Sequence, residues 1–279
     1  MAISLESADA AELIPQTERC LNCDAELSGE YCKQCGQKKV DRHDFSIKHF
    51  FGHLLHEFTH LDSNKILKTL YALVFRPGLL TAEYLAGRKG GYINPIRIYL
   101  TFSALYFLFA WGALSEVRGG GATRMARNPS AIAMARQRGI EPIALGEKIQ
   151  QKAEKYAAGL RFGSVLISGL FLSVLFIGAR RYYVEHLIFS LHYYSFDFLC
   201  KSIFAVAFMV SGALGFKLPT LVLDLFYPVA FIYLMVALRR VYKQSWAITG
   251  MKAVVLFVCE TLLFIAVNMA GFIIAFSRV

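Results

Sequence analysis

The sequence predicts an all-α polytopic membrane protein of about five transmembrane helices, with a small cysteine-bearing module at its N-terminus. Three observations carry this. Of 279 residues, 56% are hydrophobic and the mean hydropathy is +0.45, more apolar mass than a soluble core of this size hides from water. Several apolar runs are each long enough to cross about 30 Å of hydrocarbon. Four cysteines stand in two pairs ahead of the first run. The formal net charge of +10 is spread over the connections between runs. That placement suits contact with membrane lipids of anionic headgroup and speaks against a nucleic-acid partner.

The opening residues 1–18 lack the basic start and apolar core of a secretory signal and read as a disordered, slightly acidic tail. Residues 19–40 carry C-x2-C, eight residues, then C-x2-C: Cys20, Cys23, Cys32 and Cys35. Each pair offers two thiolates, and "DAELSGEY" between them is long enough to fold back. Four thiolates in a tetrahedron fit one structural Zn2+ per chain, a zinc ribbon. Two disulfides or an iron site are the alternatives, and disulfides need an oxidising compartment. With every ligand position filled, the module is structural, a surface on which a protein partner can dock. Cys200 and Cys259 lie in apolar runs and read as packing residues.

Residues 44–92 read as amphipathic interfacial helices. His49, His53, His56 and His60 recur at i, i+4, i+7 and i+11, within about 60° on a helical wheel. Ile47, Phe51, Leu54, Phe58 and Leu61 take the opposite face. The stretch contains "HEFTH", in which His56 and His60 can hold a metal and Glu57 can act as general base. Asp62 and Glu83 are further ligand candidates. Asp62 or Ser63 can cap a helix that stops before Pro77, and Thr81 can help start a short one ending at Gly87.

Residues 93–279 form the transmembrane domain, with spans at about 93–114, 162–179, 186–213, 218–238 and 253–276 and an extracytosolic loop over 115–161. Asn94 and Pro95 stand at the start of the first span, and Pro228 is expected to bend the fourth. "EKIQQKAEKYAAGLRF" in the loop reads as an amphipathic helix leading into the second span. No internal repeat is expected. Arg76, Arg88, Lys89, Arg180, Arg181, Arg239, Arg240, Lys243 and Lys252 fall on one side if the N-terminus is cytosolic.

The third span carries a polar stripe: His186, Ser190, Tyr193, Asp197 and Lys201. Asp197 and Lys201, one turn apart, can pair and ease each other's burial. Asp224 and Glu260 can join Tyr193, Asp197 and Lys201 in an intramembrane network. Glu185, His186 and His192 start the same span on the predicted cytosolic side, at the depth of His56, His60 and Asp62. Together these six are a candidate second metal site.

"CLNC…YCKQCGQK", "FTHLD", the block "SNKILKTLYALVFRPGLLTAEYLAGRKGGYINPIRIYL" and "YVEHLIFSLHYYSF" resemble a bacterial membrane-protein family of unknown function. Its pattern is a CxNC…YCxxCGQ ribbon followed by RPG…EYLxGxR…YxxP and several transmembrane helices. The resemblance covers roughly Cys20 to Leu100 and implies a multi-pass protein of the bacterial inner membrane with no established activity. In that pattern the positions of His56, His60 and Asp62 are typical and that of Glu57 varies. "GRKGGY" departs from the more usual basic run after Gly87.

The resulting expectation is a non-catalytic role, transport of a small or lipid-like molecule or scaffolding of a membrane assembly, with oligomers allowed. The alternative is a membrane-embedded, metal-dependent hydrolase of lipid or peptide, built on His56, His60 and the third-span groups. A transporter is expected to line one cavity with Asp197, Lys201, Asp224 or Glu260; a scaffold need not.

Overall fold

The computed structural model describes residues 19–39, 63–109, 127–216 and 226–278. The expected tail, the histidine ridge, the HEFTH motif with Asp62, residues 115–126 of the expected loop and Asp224 lie outside the described residues. Within them the chain is helical. The only strand-like pairing is two isolated antiparallel bridges in the cysteine module, Arg19 with Glu26 and Tyr31 with Lys38.

Two helices follow the module, α1 (Ser63–Phe75) and α2 (Leu79–Leu85). Pro77 cannot continue α1, and Gly78 turns the chain with φ 75°. An added Cβ there would lie 2.7 Å from the carbonyl oxygen of Ala237, so only glycine fits. The turn is fastened from outside. Arg240 donates to the Pro77 carbonyl at 2.7 Å, and Tyr233 donates to that of Leu73 at 2.7 Å. Gly78, not Thr81, is the residue that starts α2: Thr81 is buried within it and its hydroxyl meets Nδ1 of His192 at 2.9 Å. Ala72, Leu73 and Leu80 enter one core with Phe189, Phe196, Leu234 and Leu238. These amphipathic helices therefore bury their small apolar residues against protein.

The remaining helices are α3 (Pro95–Phe109), α4 (Pro129–Arg138), α5 (Pro142–Leu175), α6 (Tyr183–Ala213), α7 (Phe226–Tyr242) and α8 (Trp246–Ser277). Asn94 caps α3 by accepting from the Ile96 N–H at 3.0 Å, with Pro95 next to it. Pro228 lies in α7 two residues after the description resumes at Phe226, so the expected bend falls at the edge of the described residues.

Among the described residues three helices, α5, α6 and α8, are long and apolar enough to cross a bilayer. That is two fewer than the five spans expected. α3 is apolar but shorter, and the runs of the expected first and fourth spans extend into residues outside the description. α5 also carries the predicted amphipathic helix and the second apolar run in one piece. Leu170, Val174, Met251, Leu262, Met269 and Ile273 stay exposed on these helices, as lipid-facing side chains do.

The helices alternate in direction, which gathers their ends. Phe176 and Tyr242 stack with ring centres 3.7 Å apart, and Nδ1 of His186 lies 2.6 Å from the Tyr242 hydroxyl. The end of α5, the start of α6 and the end of α7 thus meet, and α8 begins there. At the opposite end Ala135, Leu145, Ile149 and Ala275 pack together. Where α5 and α8 cross, a Cβ on Gly271 would meet Ala153 and Ala157 backbone atoms at 2.9 Å.

Candidate functional site: the metal centre and the polar cavity

The cysteine module is one knuckle used twice. Residues 19–26 and 31–38 repeat the same backbone pattern twelve positions apart, a repeat not expected from the sequence. In each, the first cysteine's N–H bonds the carbonyl five residues on, Ala25 at 2.7 Å or Gln37 at 2.9 Å. In each, the residue after the second cysteine turns to positive φ, Asp24 at 61° and Gly36 at 71°. Its N–H returns to the first cysteine's carbonyl, at 2.8 Å in both.

The knuckles face each other. The sulfurs of Cys20 and Cys35 are 3.5 Å apart, as are those of Cys23 and Cys32, and all four lie within 4.8 Å of one another. The cysteines are free thiols, so the disulfide alternative is not the one observed. Four sulfurs about 2.3 Å from one ion would form a tetrahedron with edges of about 3.8 Å, close to this arrangement.

The thiols are uneven. At Cys23 the Ala25 N–H favours the thiolate, but burial and the neighbouring cysteines outweigh it and push the thiol up to about 12. Burial raises Cys35, yet the Gln37 N–H, the Asn22 side chain and two cysteines bring it down to about 6. The N–H groups of Cys35 and Gln34 lower Cys32. Crowded thiols cannot all ionise alone; a divalent cation at the centre removes that conflict. Among the described residues this is the one group of His, Cys, Asp or Glu that can hold a metal.

The module is docked on the glycine loop after α2. The buried Gln37 side chain donates to the Gly87 carbonyl at 2.8 Å and accepts from the N–H groups of Lys89 at 2.9 Å and Gly90 at 2.7 Å. Leu21 and Asn22 crowd the same loop: a Cβ on Gly87 would meet Leu21 at 2.6 Å, and one on Gly90 would meet Asn22 at 3.1 Å. "GRKGG" is thus the seat of the ribbon. Arg88 in that loop returns two hydrogen bonds to Glu83, at 2.6 and 2.7 Å, which hold the Glu83 carboxyl below its usual range.

The expected second metal site is not assembled from the described residues. Glu185 accepts from the Tyr182 N–H and pairs with Arg181 at 3.7 Å. His186 bonds Tyr242 and His192 bonds Thr81, so each imidazole is turned to a different neighbour. Its remaining members, His56, His60 and Asp62, with Glu57, lie outside the description.

The polar network is partly assembled. Asp197, Lys201 and Glu260 line one cavity with Tyr106, Arg161, Ser164 and Tyr194. Lys201 donates to Asp197 at 2.6 Å, and Tyr194 donates to Glu260 at 2.6 Å. Arg161, at the end of the expected 115–161 loop, bonds Tyr106 at 2.9 Å and also Asn268. The cavity measures ≈ 30 Å³, room for one or two waters. Arg161 Nε and Glu260 Oε1 are buried without a partner. The wall therefore holds one unused donor and one unused acceptor. Tyr193 packs instead in the core around Tyr233 and Phe196.

Residues 63–107 match a family model described as "Protein of unknown function (DUF3667)". The match spans α1, α2, the glycine loop and most of α3, and excludes the cysteines. No curated protein and no solved structure matches. The matched segment holds the RPG turn under Ala237, the Glu83–Arg88 pair and the seat of the ribbon. With three helices fit to cross a bilayer and a four-cysteine cluster fit for a metal ion, the chain is a membrane protein.

Proposed function

We propose that this protein carries a small polar or ionisable solute across the bacterial inner membrane, through the cavity between α5, α6 and α8. One observation supports transport over scaffolding: two cations and two carboxylates from three helices line one cavity deep in the bundle. Arg161 lies 14 residues before Leu175, Asp197 14 residues after Tyr183 and Glu260 14 residues after Trp246. Those helix ends meet, so the three groups share a level about 21 Å along the helices at 1.5 Å per residue. Charged groups at that depth are costly unless they serve a pathway or one another.

In this reading the ribbon holds Zn2+ on the cytosolic side and does no chemistry. Its role is to brace the glycine loop, and through it α1 and α2, against the bundle. The N-terminus is cytosolic, in keeping with reduced thiols and with Arg181, Arg239 and Arg240 at the end where α5, α6 and α7 meet.

Thiol accessibility tests the reading without knowing the solute. Ser164, buried on the cavity wall, is replaced by cysteine in a background carrying Cys200→Ser and Cys259→Ser. A transporter's cavity is expected to react with a small water-soluble thiol reagent applied from either face of the membrane, read on the peptide that carries position 164 and not on the four ribbon cysteines. No reaction from either face would identify a sealed structural network and overturn transport.

A further inference from the structure

A second, larger cavity lies at the elbow between α7 and α8. It measures ≈ 410 Å³ and is lined by Val236, Arg239, Arg240, Lys243 and Trp246, within the size range of small-ligand sites. Three of these five residues are cations and none is acidic. Among the described residues no carboxylate pairs with Arg239, Arg240 or Lys243.

The cations are held in place by neutral groups. The guanidinium of Arg239 lies 4.4 Å over the Trp246 ring, and its Nη1 donates to the Gln244 carbonyl. Arg240 spends Nη1 on the Pro77 carbonyl. The Lys243 backbone is at φ 54°, with its N–H on the Arg239 carbonyl at 2.9 Å, which keeps its exposed side chain over the same opening. A guanidinium has five N–H donors, so each arginine has donors beyond the one its carbonyl partner takes. Two guanidiniums and an ammonium around one cavity, with no carboxylate in its described lining, match a tetrahedral oxyanion.

We propose that this elbow binds a phosphate group, and that its occupant is the headgroup of an anionic phospholipid. Position favours the lipid over a soluble phosphate. Trp246, on the cavity wall, is the first residue of the most apolar candidate span, and Ile248, Met251 and Val255 beyond it stay exposed, where acyl chains can lie. An indole at the boundary of an apolar helix is an interfacial side chain. The site does not depend on the transport reading.

The chain has two tryptophans, so a Trp111→Phe background leaves Trp246 as the reporter. The purified full-length protein in detergent is titrated with short-chain phosphatidylglycerol, short-chain phosphatidylcholine and inorganic phosphate. The expected result is a saturable change in Trp246 emission with phosphatidylglycerol at lower concentration than with the other two. Lys243→Gln should weaken it about fivefold, Lys243→Glu more, and Lys243→Arg should restore it. Lys148→Gln, near the opposite end of α5, should change nothing. No saturable response, or equal affinity in Lys243→Glu, would overturn the site. A response to inorganic phosphate with none to phosphatidylglycerol would overturn the headgroup as occupant.

Discussion

The cysteine module and the deep cavity both gather four reactive groups around a point, and they do so in opposite ways. The module draws its ligands from 16 consecutive residues, Cys20 to Cys35. Its four donors are of one kind and conflict until an ion satisfies them all. The cavity draws Arg161, Asp197, Lys201 and Glu260 from three helices. Its charges are mixed and largely answer one another, leaving a void with one open donor and one open acceptor. A centre of four like donors is completed by a single ion. One that is nearly balanced and hollow is suited to something that enters and leaves.

Removing a ligand should produce the largest effect. Cys32→Ser should leave residues 19–39 without a fold, since modules of this size depend on their metal for most of their stability. Limited proteolysis is expected to cut the variant within this stretch while sparing the wild type. Equal resistance would show that the module stands without an ion.

The turn beneath the ribbon comes next. Gly78→Val puts a branched side chain at φ 75° and against Ala237, and should destabilise the bundle by about 3 kcal/mol. A lowered unfolding midpoint in detergent is the readout. Gln37→Ala breaks three hydrogen bonds between ribbon and loop, at a cost of about 2 kcal/mol. Metal content should stay unchanged while hydrogen exchange at Lys89 and Gly90 speeds up. Loss of metal instead would mean that docking and ligation are one event.

Within the cavity, Asp197→Asn strands the Lys201 ammonium and should cost about 1–2 kcal/mol. The smallest effect belongs to Glu83→Gln, about 0.5–1 kcal/mol at neutral pH, because Arg88 is well exposed. The Glu83 carboxyl is held below 4.5, so the contribution of the pair is present above that value and is lost as pH falls through the lowered one. Wild type and variant should therefore converge in acid; a gap that persists there would locate the effect elsewhere.

What the sequence made legible follows the same contrast. The cysteine cluster was readable because its spacing is local, and so was the Asp197–Lys201 pair, one helical turn apart. The twelve-residue repeat is visible once the knuckles are aligned, since Asp24 and Gly36 occupy the same positive-φ position. Arg161 was not readable: its partners Tyr106 and Asn268 lie 55 and 107 residues away. The stripe on α6 was seen, but its members face different neighbours, His186 toward Tyr242, Ser190 toward Ser168 and Tyr193 into the core. An amphipathic pattern likewise cannot say which of its apolar residues meet protein: Leu73 and Leu80 pack against α6 and α7, while Leu67, Tyr71 and Phe75 stay exposed.

The central claim is that a structural metal sits between the knuckles and that the histidine ridge holds none. Metal analysis of the purified chain tests it most directly, in the wild type, in Cys20→Ser and in a His56→Ala/His60→Ala variant. The account predicts about one zinc per chain, none after the cysteine change and no difference after the histidine changes. Two metals per chain, with one lost on changing the histidines, would contradict it and favour the metal-dependent hydrolase.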